Sequence, residues 1–117
     1  MTFFILAALI LSGSSCDGKP RQYKVKVVKE YPHDEMSYTQ GLFFQGDKMI
    51  ETTGQYGEST LRVVDPATGK AVKKLDFGRK YFAEGSVELG GEIFILTWQN
   101  KVAFIYDAKS LECAQST

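Results

Sequence analysis

Five residues of this chain combine the chemical groups needed to bind and transform a small polar ligand. Gln40 and Glu84 each stand directly before a glycine. Tyr38 and Phe82 stand two residues upstream of them, and Trp98 closes a later apolar run. A carboxylate can act as a general acid or base, an amide can donate hydrogen bonds, and aromatic rings can form an apolar wall. A single acidic residue is more often simply solvated, and a single aromatic residue more often packs in the core. These five residues therefore indicate a functional site only if the fold brings them together.

The sequence repeats itself with a period that is typical of propeller blades. The segment 31–41, YPHDEMSYTQG, returns as residues 79–85, RKYFAEG, and the shared Gln-Gly and Glu-Gly pairs align at an offset of 44 residues. Gly46 and Gly90 align at the same offset. Repeats of about 40–45 residues that consist of short strands are characteristic of propeller blades. The offset therefore places the amide and the carboxylate at equivalent positions of neighbouring blades.

Alternating apolar residues and glycine-containing turns predict an all-β fold with four strands in each repeat. The predicted strands are 41–45, 48–53, 60–64 and 71–75 in the first repeat, and 86–89, 92–98, 102–106 and a last one from about 111 in the second. Blade one then covers about residues 40–76, and blade two about 84–117, where its fourth strand is incomplete. A plain β-meander with accidental internal similarity is the alternative.

Two blades cannot close a ring, because propellers have typically four to eight blades. We therefore expect the chain to be the N-terminal part of a longer protein. Tyr23–Val28 alternates apolar and basic residues, which predicts a half-buried strand. Since it precedes blade one, we expect this strand to complete the last blade and close the ring.

The innermost strand of a propeller blade lies beside the central channel, and in a meander its start lies next to the end of the second strand. Gln40, Glu84 and Trp98 are thus expected to gather at one mouth of the channel. Tyr38 and Phe82 are expected to line the rim. Such a pocket suits a small polar ligand with an apolar wall.

The N-terminal segment predicts export. Phe3–Leu11 is an apolar run of nine residues, which is too short to span a bilayer and fits the central region of a signal peptide. Cys16, which follows small polar residues, resembles the lipidated cysteine of bacterial lipoproteins. We assign residues 1–16 to a signal peptide with lipidation at Cys16, residues 17–22 to a tether, and residues 23–117 to a partial propeller domain. The expected location is periplasmic or membrane-anchored; a buried N-terminal strand is the alternative for the apolar run.

Charge and metal-ligand counts exclude several classes of partner. The 14 basic residues balance the 14 acidic ones, so no broad charge favours nucleic acid. The two cysteines and the single histidine show no zinc-site spacing. His33 follows Pro32 in a predicted turn, and we interpret it as a turn residue. We expect no nucleic-acid partner, no metal and no cofactor.

Four motifs resemble those of the glutamine cyclotransferases, the plant- and bacterial-type glutaminyl-peptide cyclotransferases. They are YPHDEMSYTQGL, ETTGQYGESTLRVVD, YFAEG and LTW, in this order between about residues 28 and 107. The resemblance implies a five-bladed propeller, represented here by about two blades. It also implies metal-independent conversion of a peptide's N-terminal glutamine to pyroglutamate, with release of ammonia. In that family the glutamate of YFAEG, here Glu84, is the general acid/base, and the corresponding pocket residues are Tyr38, Gln40, Phe82 and Trp98.

Two other functions fit the same residues. One is a non-enzymatic, exported lipoprotein that binds a peptide or small molecule in the same aromatic pocket. The other is a purely structural repeat protein, which the polar residues at the channel mouth disfavour. For the enzyme we expect a monomer at full length and an inactive two-blade fragment, because later blades complete the pocket in the family.

Overall fold

A computed structural model of the chain describes residues 18–116, which form two antiparallel four-stranded sheets. Sheet one contains β1 Thr39–Gln45, β2 Lys48–Thr53, β3 Thr60–Asp65 and β4 Lys70–Asp76. Sheet two contains β5 Ala83–Leu89, β6 Glu92–Thr97, β7 Ala103–Asp107 and β8 Cys113–Ser116. In each sheet the strands pair in sequence order. All eight predicted strands are present, with small shifts at their ends, and the all-β prediction is confirmed.

The predicted signal peptide and the lipidation site at Cys16 lie outside the described residues. Within residues 18–116, no helix is long and apolar enough to cross a bilayer.

Two-residue turns join the first two strands of each sheet and set their register. Gly46 has a φ of 61°, and Gly90 and Gly91 have φ values of 63° and 85°. Side chains with a Cβ rarely adopt these angles, whereas hairpin turns of types I′ and II′ require them. The first turn places Phe43 opposite Ile50, so that both side chains lie on the same face of sheet one.

The hydrophobic core lies between the two sheets. Ile50 and Leu61 of sheet one pack in one buried cluster with Ile93 and Ile95 of sheet two. Phe77, in the connection between the sheets, belongs to the same cluster. Burying each of these large side chains contributes roughly 1.5–3 kcal/mol. The cluster stacks the sheets face to face, and β5 packs beside β1, as the innermost strands of neighbouring blades do.

The outer face of sheet two carries apolar side chains that nothing in the described part of the chain covers. Val87, Leu89 and Leu96 are all more than half exposed, and the pairing of β5, β6 and β7 puts them on the face away from sheet one. An apolar patch of this kind marks a contact surface or an aggregation risk.

We expect that residues 17–117 alone do not form a stable monomer, because the uncovered apolar face of sheet two and the open sheet edges favour self-association. The purified fragment should aggregate or melt without a cooperative transition in calorimetry. A sharp, reversible melt of a fragment that light scattering shows to be monomeric would contradict this.

Tyr23–Val28 does not form a strand with either described sheet. Its side chains are exposed, Val25 to 94%. A strand requires partners for its backbone groups, and neither sheet of the described residues pairs with this segment. Its role in completing a last blade stays a prediction.

The segment that precedes β1 covers part of the outer face of sheet one. Arg62 of β3 contacts Asp34 through an ion pair of 2.8 Å and also contacts the Ser37 hydroxyl. The Met36 N–H donates a hydrogen bond to the Asp34 carboxylate. This hydrogen bond, together with the Arg62 guanidinium, lowers the pKa of Asp34. The contacts fix the chain where it enters β1.

His33 has a different role from the predicted one. The tight turn begins one residue later, where the Ser37 N–H donates to the Asp34 carbonyl. The His33 side chain instead reaches Glu51 of β2, with Nε2 2.9 Å from Oε1. Glu51 is only 1% exposed, and the Thr39 hydroxyl donates to the same oxygen at 2.6 Å. Because a buried carboxylate is costly without such partners, His33 stabilises the fold through Glu51 rather than by forming the turn.

Candidate active site

Gln40 lies in a β-bulge at the start of β1. Thr39 is opposite Thr53, and Gly41 is opposite Thr52, so that Gln40 has no partner in β2. A bulge leaves the extra residue out of the hydrogen-bond ladder and redirects its side chain. Gln40, which is half-buried, is thereby placed at the N-terminal end of β1, beside the end of β2.

Glu84 lies in a corresponding bulge at the start of β5. Ala83 is opposite Thr97, and the next paired residue is Ser86, opposite Ile95. Glu84 is half-buried. The two residues that the sequence repeat aligns therefore both lie in a register irregularity at the start of the innermost strand of their sheet. Bulges occur often beside active sites, where they aim side chains.

A single backbone hydrogen bond extends each of the two hairpins beyond its bulge. The Gly54 N–H donates to the Tyr38 carbonyl at 2.8 Å, and the Trp98 N–H donates to the Phe82 carbonyl at 2.9 Å. Tyr38 and Phe82 therefore occupy equivalent positions, and so do Gly54 and Trp98. The second pairing means that the indole has glycine as its counterpart in blade one.

Four aromatic side chains form a cluster that has Phe82 at its centre. Its ring centroid lies 5.5 Å from that of Trp98, 5.6 Å from that of Tyr56 and 6.2 Å from that of Tyr38. All three contacts are edge-to-face, which is a favoured geometry for aromatic pairs. Tyr56 and Trp98 also approach each other, at 6.4 Å. Trp98 is 45% exposed, so the cluster presents an accessible aromatic surface rather than a closed core.

Gly54 allows the Phe82 ring to enter between the blades. A Cβ atom at Gly54 would lie 2.3 Å from Phe82 Cε1 and 3.1 Å from Gln40 Cγ. Any larger residue would displace the ring. The glycine thus brings Gln40 next to the aromatic cluster.

Tyr56 was not predicted to belong to the site. It follows Gln55, whose φ of 87° is unusual for a residue with a side chain, in the loop between β2 and β3. This loop follows the end of β2, just as Trp98 follows the end of β6. That correspondence is the sequence signal that could have predicted Tyr56 as a site residue. The position of its ring, however, depends on contacts with blade two.

The Glu84 carboxylate accepts no hydrogen bond from another residue within the described range, whereas its backbone carbonyl accepts one from the Thr52 hydroxyl at 2.8 Å. The backbone of this residue is therefore fixed while its carboxylate is available to a ligand. Among residues 18–116, no group of three His, Cys, Asp or Glu side chains is arranged to hold a metal ion. The structure brings Tyr38, Phe82 and Trp98 into one cluster with Gln40 beside it; the functional roles of these residues and of Glu84 stay predictions.

The stacked four-stranded meanders, with polar and aromatic side chains at one end of the innermost strands, define a fragment of a β-propeller that carries a candidate ligand site. The family model described as glutamine cyclotransferase matches residues 2–117. The chain therefore belongs to the glutamine cyclotransferase family, and the predicted resemblance is confirmed.

The similarity of the chain to two relatives supports this assignment. A glutaminyl-peptide cyclotransferase of Arabidopsis thaliana is 43% identical over 103 residues, which are 86% of this chain and 32% of the relative. The crystal structure of Myxococcus xanthus glutaminyl cyclase superimposes with a TM-score of 0.71 at 29% identity, covering 79% of this chain and 38% of that one. The chain thus spans about a third of the length of the curated relative. The structural match agrees with a propeller fragment of about two blades.

Proposed function

We propose that the full-length protein is a glutaminyl-peptide cyclotransferase, which converts the N-terminal glutamine of peptides to pyroglutamate and releases ammonia. The observation that carries the proposal is the half-buried Glu84, which lies in a bulge and follows Phe82, the centre of an exposed aromatic cluster, by two positions in the sequence. Family membership supports it, and so does the similarity to a glutaminyl-peptide cyclotransferase and to a glutaminyl cyclase.

The reaction suits a site with a single carboxylate. The α-amine of the peptide attacks the side-chain carboxamide carbon, a five-membered ring closes, and the C–N bond to the amide nitrogen breaks. Because both reacting groups belong to one residue, much of the entropic cost of bringing them together is absent. The remaining barrier comes from proton transfers, since the α-amine has a pKa of about 8 and ammonia leaves well only after protonation.

Glu84 is proposed to perform both proton transfers. Its carboxylate accepts the proton that the attacking amine loses and returns it to the departing nitrogen. One group can act in both steps, because the proton gained in the first is the proton required in the second. This mechanism requires neither a metal ion nor a cofactor.

The other members of the site are proposed to bind the substrate. Tyr38, Phe82 and Trp98, with Tyr56, form an apolar wall for the aliphatic part of the glutamine. The Gln40 side-chain amide and the Trp98 indole N–H are the two candidate donors to the oxygen that becomes negatively charged in the transition state.

An ammonia-release assay on the full-length protein tests the proposal. A peptide with N-terminal glutamine should lose one ammonia per molecule, and mass spectrometry should show the matching loss from the peptide. The same peptide with an acetylated amine is the control and should not react. Binding of the free peptide without ammonia release would instead support a non-enzymatic peptide-binding propeller.

We further propose that the protein is exported and that Cys16 carries a lipid anchor; Phe3–Leu11 and the small residues before Cys16 support this. In the native host, mass spectrometry should find the mature chain beginning at a lipid-modified Cys16. The Cys16→Ala variant should retain the signal peptide or appear without lipid. An unprocessed chain that begins with Met1 in the cytoplasm would contradict this proposal.

We also propose that the full-length protein is a monomer, because further blades would cover the apolar face of sheet two. Light scattering coupled to size exclusion should give the mass of one chain.

A further inference from the structure

Two buried hydroxyl groups of blade one hold the backbone on both sides of Glu84. The Thr52 hydroxyl donates to the Glu84 carbonyl at 2.8 Å. The Ala83 N–H donates to the Ser59 hydroxyl at 2.9 Å. Thr52 is completely buried, and Ser59 is 1% exposed. The two-residue segment that contains Glu84 is thus held between two groups from the neighbouring blade.

Each hydroxyl is fixed in its role by a further contact. The Ser59 hydroxyl donates its proton to the Gln55 carbonyl at 2.7 Å, so its oxygen is available to accept from Ala83. Thr52 uses its only proton for Glu84, and therefore the Ser86 hydroxyl, 3.1 Å away, donates to Thr52. The direction of every hydrogen bond in this group is determined.

The bulge in β5 explains why these contacts are needed. Glu84 and Gly85 have no paired residue in β6, so the backbone there lacks the ladder hydrogen bonds that would otherwise fix it. Buried backbone groups require partners, and at this position Thr52 supplies one from across the boundary between blades. The backbone at Glu84 is therefore held in part by blade one.

Gly41 permits the close approach. A Cβ at this position would lie 2.5 Å from Thr52 Oγ1 and 2.4 Å from Ser86 Oγ, which is too close for either hydroxyl to remain in place. The tight packing lies at the boundary between the two described blades, which is the boundary that carries Glu84.

The sheet itself does not require a hydroxyl at the position of Thr52. The residue equivalent to Thr52 at the offset of 44 is Leu96, an apolar residue on the outer face of sheet two. Since an apolar side chain occupies the same site in the neighbouring sheet, the hydroxyl of Thr52 serves its contacts with Glu84 and Ser86.

We propose that Thr52 and Ser59 are positioning residues, which hold Glu84 in the orientation needed for proton transfer. The kinetic test of this proposal rests on the proposed function, because it measures kcat for ammonia release. Thr52→Val keeps the shape of the side chain and removes the hydroxyl, and Thr52→Ser keeps the hydroxyl. Thr60→Val is the matched control, because Thr60 is also fully buried but, among residues 18–116, its hydroxyl bonds only to Thr53 and Arg62 of its own sheet.

In the full-length protein, Thr52→Val should lower kcat by roughly 10- to 100-fold, the loss expected from a small misplacement of a catalytic group, with KM little changed. Ser59→Ala should act in the same direction. Thr52→Ser should recover most of the activity. Thr60→Val should lower the melting temperature but leave kcat near that of the wild type.

Amide hydrogen exchange gives a second readout that does not depend on activity. The amides of Glu84 and Gly85 should exchange faster in Thr52→Val than in Thr60→Val, even if the wild type releases no ammonia and the proposed function fails. Unchanged exchange at these amides would overturn the positioning proposal. So would a wild-type kcat in Thr52→Val of a protein that does release ammonia, or an equal loss of kcat in Thr60→Val.

Discussion

Replacing Glu84 by glutamine in the full-length protein is expected to lower kcat for cyclisation by about 10²–10⁴-fold, the usual contribution of a general acid or base. Glutamine has nearly the same shape and can still form hydrogen bonds, but it cannot accept the proton of the attacking amine. KM should change little, because the aromatic surface that binds the substrate is intact. Steady-state ammonia release with a glutamine-initiated peptide measures both constants.

Glu88→Gln is the matched control for this variant. Glu88 lies on the same strand β5, is exposed, and contacts only Gln45 through a hydrogen bond of 3.2 Å in the described structure. This substitution removes one negative charge from the strand without altering the candidate site, so kcat should stay near the wild-type value. A Glu84→Gln protein with wild-type turnover would refute the assignment of Glu84 as the proton carrier.

The strands and their order were predictable because their signals are local. Glycines with positive φ, such as Gly46 and Gly90, mark the hairpin turns, and alternation of apolar residues marks the strands between them. The repeat also gave the equivalence of Gln40 and Glu84, since an offset of 44 residues requires only the sequence. These features do not depend on the partner of each strand.

The contacts across the blade boundary were not predictable in the same way. Thr52 reads as an ordinary strand residue, and only the position of blade two shows that its hydroxyl reaches the Glu84 carbonyl. Likewise, the sequence identifies Tyr56 only as a loop residue, and the structure is needed to show that its ring packs against Phe82. The residue pattern within one strand does not predict which side chains of a neighbouring sheet will contact it.

The prediction for His33 was wrong, and the predicted strand at Tyr23–Val28 has no partner in either described sheet, for a related reason. Tyr23–Val28 has the alternation of a strand, but alternation forms a strand only where a sheet edge is available to pair with it. His33 stands beside a proline, which suggested a turn, but its ring reaches a carboxylate 18 positions later in the chain. In both cases the outcome depends on a distant segment.

Replacing Trp98 by alanine should weaken substrate binding as well as catalysis. The indole forms part of the exposed aromatic surface, and an apolar wall contributes to the ground state and the transition state alike. Removing a large aromatic side chain that is about half buried forfeits on the order of 1–2 kcal/mol of apolar contact, which corresponds to a rise in KM of roughly tenfold. Steady-state kinetics with the same glutamine-initiated peptide measures the change.

Trp98→Phe separates the two contributions of the indole. Phenylalanine preserves the apolar wall against Phe82 and Tyr56 but lacks the N–H donor, so KM should stay near the wild-type value. If the indole donates to the developing oxyanion, kcat falls in this variant by about 10²-fold, a typical loss for one such donor; if the Gln40 amide is the donor, kcat is retained.

Tyr56→Ala should raise KM in the same direction as Trp98→Ala, because both rings border the same surface. An unchanged KM in Trp98→Ala would show that the substrate binds elsewhere, and the aromatic cluster would then be only the packing between two blades.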